Sequence, residues 1–304
     1  MVSCISRDNP FDPINQHAAY VGTVTVSDKD TLTNRLLNAA AGDTIIIERG
    51  VYPVSLRFNN NGTAAGPIMV MGKDTGTVLN ALPPDLGIMF LSAKSFIQFK
   101  NIVFEKSFGS GAKIENGSHD ISFSHCVFRG NAFDGLEITD SDVLATDCVF
   151  EGNQKAGVRI NGNGTASHAV VMDNVLAAHN TQDGVAIIAA PVSISHSTIS
   201  DNGGNAISLA TPAGRVSVAS SVLSFNGGAG ISGVWNQAAA QLAFDSLDIF
   251  QSQPDTSLNP VVSFSYWSFD PLFADHTAGN YTPTAQSEIY KMETQGIIIG
   301  YRRR

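Results

Sequence analysis

Hydrophobic and polar positions alternate along most of this chain, and the alternation returns with a period of about 22 to 27 residues. Six segments fall into register: 96–118, 119–141, 142–168, 169–191, 192–214 and 215–240. Each holds an alternating stretch, a turn, a second short apolar stretch, a polar residue and a strand opened by a small residue. The polar column reads Asn131, Asn153, Asn180, Asn202 and Asn226, with Ser107 at its head. Four residues after each come Gly111, Gly135, Gly157, Gly184, Ala206 and Gly230. The next strand puts Ala112, Leu136, Val158, Val185, Ile207 and Ile231 in one column and Ile114, Ile138, Ile160, Ile187 and Leu209 in another. Strand side chains alternate faces, so both columns point inward together.

A repeat of this kind predicts a coil with one rung per repeat. Each strand pairs in parallel with its counterpart one rung away, at ~4.8 Å. Like then stacks on like: aliphatic ladders fill the interior, and the Asn amides hydrogen-bond along the stack. One rung cannot bury its apolar face alone, but a stack can. The fold class is therefore all-β, a single-stranded right-handed parallel β-helix.

The ends of the chain predict caps. Residues 31–40 read as a short amphipathic helix with Thr31 or Thr33 as N-cap and Leu32, Leu36 and Leu37 inward, plugging the open first rung. After about residue 251 the repeat gives way to Tyr266, Trp267, Phe269 and Phe273, which predict an irregular C-terminal cap. Three parts follow: an N-terminal arm and first strand over 1–30, the capping helix and coil over 31–250, and the cap over 251–304.

Composition narrows the range of functions. Among 304 residues 43% are hydrophobic and only 15% charged, against roughly 25% in an average domain, so disorder is not expected. No apolar run approaches the ~20 residues of a membrane-spanning helix. A net charge of −9 disfavours nucleic acid as a partner. Thirteen of the 18 Lys and Arg precede residue 160, so an anionic ligand should meet the first half of the coil. Three cysteines make no disulfide scaffold, and Cys126 and Cys148 read as stacked buried thiols on neighbouring rungs. The first residues show no secretory pattern, which leaves two expectations. Either the protein is extracellular with its signal absent from this chain, or it is virion-associated, with residues 1–20 as an arm for self-association or for a virion or surface partner.

The stretch from Ala41 to Tyr52 and the stretch from Gly62 to Ile68 resemble the opening of polysaccharide lyases of the chondroitinase B and alginate lyase type, within the pectate-lyase-like β-helix proteins. Asp270-Pro-Leu-Phe, Gly279-Asn-Tyr and Ile299-Gly resemble the closing segment of secreted bacterial β-helix proteins. The resemblance covers about residues 30 to 304 and implies a lyase or depolymerase acting on an anionic, uronate-containing glycan. Such lyases use a Lys and an Arg one rung apart, with acidic ligands for Ca²⁺. Their Lys-Ser and Arg-His-Gly rungs have no matching form here. Phe133-Asp-Gly-Leu-Glu137 partly resembles the Asp-Pro-His strand of mannuronan epimerases, with Leu136 in place of the His.

One outward column bears on that chemistry. Lys113, Glu137 and Arg159 occupy it on three successive rungs, whereas Ala186, Ser208 and Ser232 follow. Asp134, Lys155 and Asp183 lie beside it, in the turns before the glycines. Eliminative cleavage of a uronate needs a cation or metal on the carboxylate, a base for the C5 proton and an acid for the leaving oxygen. Lys113, Lys155 and Arg159 are the candidate catalytic residues. Glu137, Asp183 and Asn180 are candidates for binding polysaccharide, and Asp134, Glu137 and Asp183 for Ca²⁺. Against this stands a plain cross-strand ion-pair ladder, worth ~0.2 to 1 kcal/mol per pair. A two-carboxylate hydrolase built from Asp134, Glu137, Asp140 and Asp142 is a further possibility, although aspartates in such turns commonly satisfy backbone N–H groups. A glycan-binding coil without catalysis, on a surface or virion, is the alternative function. His125 and His196 share a column with Asn101, Asp147, Asn174 and Ser220 that is polar in every rung, which points to turn hydrogen bonding before metal binding.

Overall fold

The computed structural model describes residues 22–83, 87–164, 167–211, 214–234, 240–259, 264–294 and 299–302. The arm expected over 1–20, with Cys4, lies outside them. The chain winds as a right-handed parallel solenoid of about nine turns, with three strands to a rung. In one rung Leu136–Thr139 belongs to what we term the third sheet, Val143–Thr146 to the first and Val149–Glu151 to the second. Val158–Asn161 then returns to the third sheet, one rung on.

Registers run in step. Leu136 pairs with Val158 and Ile138 with Ile160, then Val158 with Val185 and Ile160 with Ile187. The expected inward columns are thus the core, and their members are buried from Ala112 to Ile231. In the second sheet Phe104, Phe128 and Phe150 stack face to face at 4.8 and 5.1 Å. Cys126 and Cys148 lie buried beside them as free thiols, and burial pushes the Cys148 thiol up.

The corners explain the polar columns. Between the first and second sheets Asn101, His125, Asp147, Asn174, His196 and Ser220 each take a left-handed backbone, with φ from 48 to 56°. That conformation favours short polar side chains able to bond locally. His196 Nδ1 lies 2.7 Å from Asp173 Oδ1, and Asn174 Nδ2 donates to Asp147 Oδ1 at 2.5 Å, so this column serves the turn. The Asn column is a continuous buried ladder. Asn153 Oδ1 accepts from both the backbone N–H and the side-chain amide of Asn131, at 3.1 and 2.9 Å. Asn153 Nδ2 in turn donates to Phe128 O and to Asn180 Oδ1.

Both caps differ from expectation in detail. The helix is Lys29–Leu37, capped by Asp28, whose Oδ1 accepts from Thr31 N at 2.8 Å. A carboxylate reaches the third N–H of the helix better than the Thr hydroxyls expected at 31 or 33, and being anionic it also suits the helix N-terminus. Leu32 and Leu36 are fully buried, whereas Leu37 is only half-buried.

At the other end the coil runs past residue 250, because Thr256–Asn259 adds a rung onto Ile231–Val234. The chain then crosses the last rung, where Trp267 pairs with Asp248, and climbs back along the outside of the second sheet. Tyr281 covers Leu176 and Ala178, while Ile289 and Ile299 cover Val222. Those outward positions are apolar, which is why the segment wraps the flank as well as closing the end. Tyr281 Oη donates to Asp201 Oδ2 at 2.9 Å, and burial followed by that carboxylate pushes its phenol up. Backbone N–H of Arg302 donates to Asn174 Oδ1, ending the wrap on the left-handed corner.

Candidate functional site

The third sheet carries the outward column. Its strands pair so that Phe90, Lys113, Glu137, Arg159, Ala186, Ser208, Ser232 and Ser257 stand one per rung. Leu56 bridges Met89, which puts Arg57 one rung before Phe90. Four charged residues and an aromatic therefore share the N-terminal half, and the C-terminal half is small and neutral. A groove of about 270 Å³ opens here, lined by Arg57, Phe90, Ser110, Lys113, Phe133 and Glu137.

Charges on the column are neutralised in part. Lys113 Nζ lies 3.2 Å from Glu115 and 3.5 Å from Glu137. Burial works against its charge, but the two carboxylates outweigh burial and hold the ammonium above its ordinary value. A lysine held in this way stays protonated, which suits charge neutralisation and not proton abstraction. Glu137 accepts from Ser110 Oγ at 3.0 Å through its other oxygen.

The residues before the glycines form a second column with a repeated function. Asp134 is 3% exposed; its Oδ1 accepts from Ala156 N at 2.9 Å and its Oδ2 from Arg159 Nε at 3.0 Å. Asp183 does the same two rungs on, with Oδ1 accepting from Asn205 N at 2.8 Å and Oδ2 from Ser208 Oγ at 2.7 Å. Each carboxylate thus clamps the next rung's backbone and its outward side chain. Ladder continuity places Asp134 and Asp183 two rungs apart, about 9.6 Å. Their oxygens, and those of Glu137, are committed to separate N–H, hydroxyl and cationic partners. Among the described residues no group of three or more His, Cys, Asp or Glu converges on one point. Asp134, Glu137 and Asp183 therefore do not fit a shared Ca²⁺.

Lys155 belongs to a different column from Asp134. It stacks on Phe133, whose carbonyl accepts from the Lys155 N–H at 3.2 Å. Its ammonium sits 4.0 Å from the centre of the Phe133 ring, and Arg57 lies 5.0 Å from the Phe90 ring in the same manner. Neither Lys155 nor Arg57 forms an ion pair among the described residues. Asn180 is 1% exposed and saturated within the interior ladder, so its amide faces the core and not the groove.

Of the candidates, then, the structure brings together Lys113, Glu137, Arg159 and Lys155, sets Asp134 and Asp183 beneath them as clamps, and removes Asn180. Arg57, Phe90 and Ser110 were missed. Phe90 and Arg57 lie upstream of residue 96, where the repeat is interrupted by longer turns. The signal that finds them is the aliphatic pair Leu56 and Met89, each followed by an outward side chain.

Residues 135–239 match a family model described as a right-handed beta helix region. No curated protein matches the chain in sequence. Among solved structures, the pectate lyase Pel9A is similar at a TM-score of 0.61 and 14% identity, over 88% of this chain and 90% of that one. The alginate lyase from Paenibacillus sp. str. FPU-7 is similar at 0.54 and 13%, over 81% of this chain and 98% of that one. The periplasmic alginate epimerase AlgG is similar at 0.56 and 11%, over 76% of this chain but only 60% of its own. The chain thus has the fold of the pectate-lyase-like right-handed parallel β-helices.

Proposed function

We propose that the third-sheet groove binds an anionic, uronate-bearing polysaccharide. The observation that carries this is the row of Arg57, Lys113, Lys155 and Arg159 along one face of an otherwise acidic chain, the first two lining the groove and the others continuing it, with Arg57 and Lys155 forming no ion pair among the described residues. A row of cations along one face of the coil raises the local potential and attracts an extended polyanion. The solved structures of similar fold include enzymes whose names specify pectate and alginate, both polyuronates, which supports the same ligand class. No described helix is long and apolar enough to cross a membrane. One solved structure of similar fold is named as periplasmic, which supports a protein that meets its glycan outside the cytoplasm.

The more specific reading is eliminative cleavage at this groove. Lys155, with no ion pair among the described residues, is the base candidate, and Arg159 and Lys113 are charge neutralisers for the carboxylate of the sugar that loses its C5 proton. The second reading is binding without turnover, as in a surface or virion protein. It is favoured by the double carboxylate hold on Lys113 and by the absence of a shared metal position among the described residues. Incubation with a panel of uronate polymers, with and without Ca²⁺, separates the two. Ultraviolet absorbance from unsaturated ends, abolished by Lys155→Ala, establishes the lyase. Binding without new unsaturated or reducing ends establishes the non-catalytic role, and no binding to any polyanion overturns both.

A further inference from the structure

Two aromatic rings interrupt the charged face, and each lies against a cation one rung away. Arg57 and Phe90 precede Lys113 in its own column, whereas Phe133 and Lys155 follow one and two rungs on in the neighbouring turn column, which has Gly109 at the rung of Lys113. Along the coil axis the outer cations are thus two rungs, about 9.6 Å, to either side of the central lysine, with Lys155 also displaced sideways. Lys113 is held by Glu115 and Glu137, as described, but Arg57 and Lys155 have a ring where Lys113 has carboxylates.

That difference has a chemical consequence. A carboxylate partner positions a cation and also cancels its charge, so a ligand carboxylate must compete with it. An aromatic face positions the cation through its quadrupole and leaves the full charge available. Phe133 is 43% exposed and packs into no core cluster, so burial does not account for its place.

Building on the polysaccharide-binding reading above, in which Lys155 serves as a cation and not as a base, we infer that Phe90 and Phe133 are positioning residues that hold Arg57 and Lys155 as uncancelled cations for the anionic groups of the bound chain. Each cation covers one face of its ring. Selectivity for acidic over neutral glycan then resides in these two pairs more than in the Lys113–Glu137–Arg159 ladder.

The test is equilibrium binding of polygalacturonate and of its fully methyl-esterified, neutral form. Wild type binds the acidic polymer, and Lys155→Ala weakens that binding about tenfold. Phe133→Leu keeps every charge, yet weakens it roughly two- to fivefold, and Phe133→Trp restores it, since indole is the better cation partner. In wild type the Lys155 ε-methylene protons show an upfield ring-current shift that Phe133→Leu abolishes. A Phe133→Leu protein that binds like wild type, while Lys155→Ala binds weakly, overturns the positioning role and leaves the polysaccharide reading standing. Wild type that binds neither polygalacturonate nor alginate overturns both.

Discussion

The interior Asn ladder and the exterior charged column are both stacks with one residue per rung, yet they are built on opposite terms. In the ladder one residue type recurs and every polar atom of the repeat finds its partner on the neighbouring rung. In the column residue types change with each rung: Arg57, Phe90, Lys113, Glu137, Arg159, then Ala and Ser. A stack that exists to hold the coil is uniform and saturated. A stack that departs from uniformity, and holds Arg57 without an ion pair among the described residues, is where we propose that a ligand binds.

Breaking the ladder gives the largest expected effect. Asn153→Ala strands the Asn131 backbone N–H, one Asn131 amide hydrogen and the Phe128 carbonyl in the core, costing roughly 3 to 9 kcal/mol at ~1 to 3 per group. Chemical denaturation should show the loss, while the folded fraction keeps its affinity for polyanion.

The flank wrapped by the C-terminal segment offers the next test. Asp248 is fully buried there, with Oδ1 accepting from Phe269 N and Oδ2 without a partner among the described residues. Burial pushes its carboxyl up to about 7; the Phe269 N–H opposes this and Asp270 adds to it. Folded Asp248 keeps its proton to about pH 7, whereas in the unfolded chain the carboxyl releases it near 3.8. The folded state therefore holds the extra proton in between, and stability falls as pH rises from about 4 to 7. The full effect is on the order of 4 kcal/mol. Asp248→Asn should flatten this slope in denaturant titrations. An unchanged slope means that Asp248 does not titrate there.

Surface changes sharpen the other side of the comparison. Arg57→Ala and Lys155→Ala should each lower polyuronate affinity about tenfold, or ~1.4 kcal/mol, with melting temperature almost unmoved. Glu137→Gln is the smallest. It removes one partly exposed ion pair, worth at most ~1 kcal/mol, and should raise affinity for a polyanion two- to threefold by deleting a like charge.

The coil was legible in the sequence because stacking forces like residues into fixed columns, and five Asn with one small-residue column and two apolar columns define the register. The charged triplet at 113, 137 and 159 was visible for the same reason. Three features were not. Asn180 carries the same residue type whether it faces core or groove, and only the ladder geometry shows its amide consumed. Asp134 and Lys155 look adjacent in sequence alignment of the turns, yet they sit one column apart, so Asp134 clamps Arg159 while Lys155 rides on Phe133. Arg57 and Phe90 fall where insertions break the period, and the isolated Leu56–Met89 bridge is needed to bring them into line.

The central claim is that the N-terminal half of the third sheet is an acidic-glycan site. Titration of the wild-type protein with polygalacturonate and with its methyl ester, followed by calorimetry at low and moderate salt, tests it most directly. The account predicts binding to the acidic polymer that weakens with salt and little or no binding to the ester. Equal affinity for both polymers, or binding indifferent to salt, would contradict it.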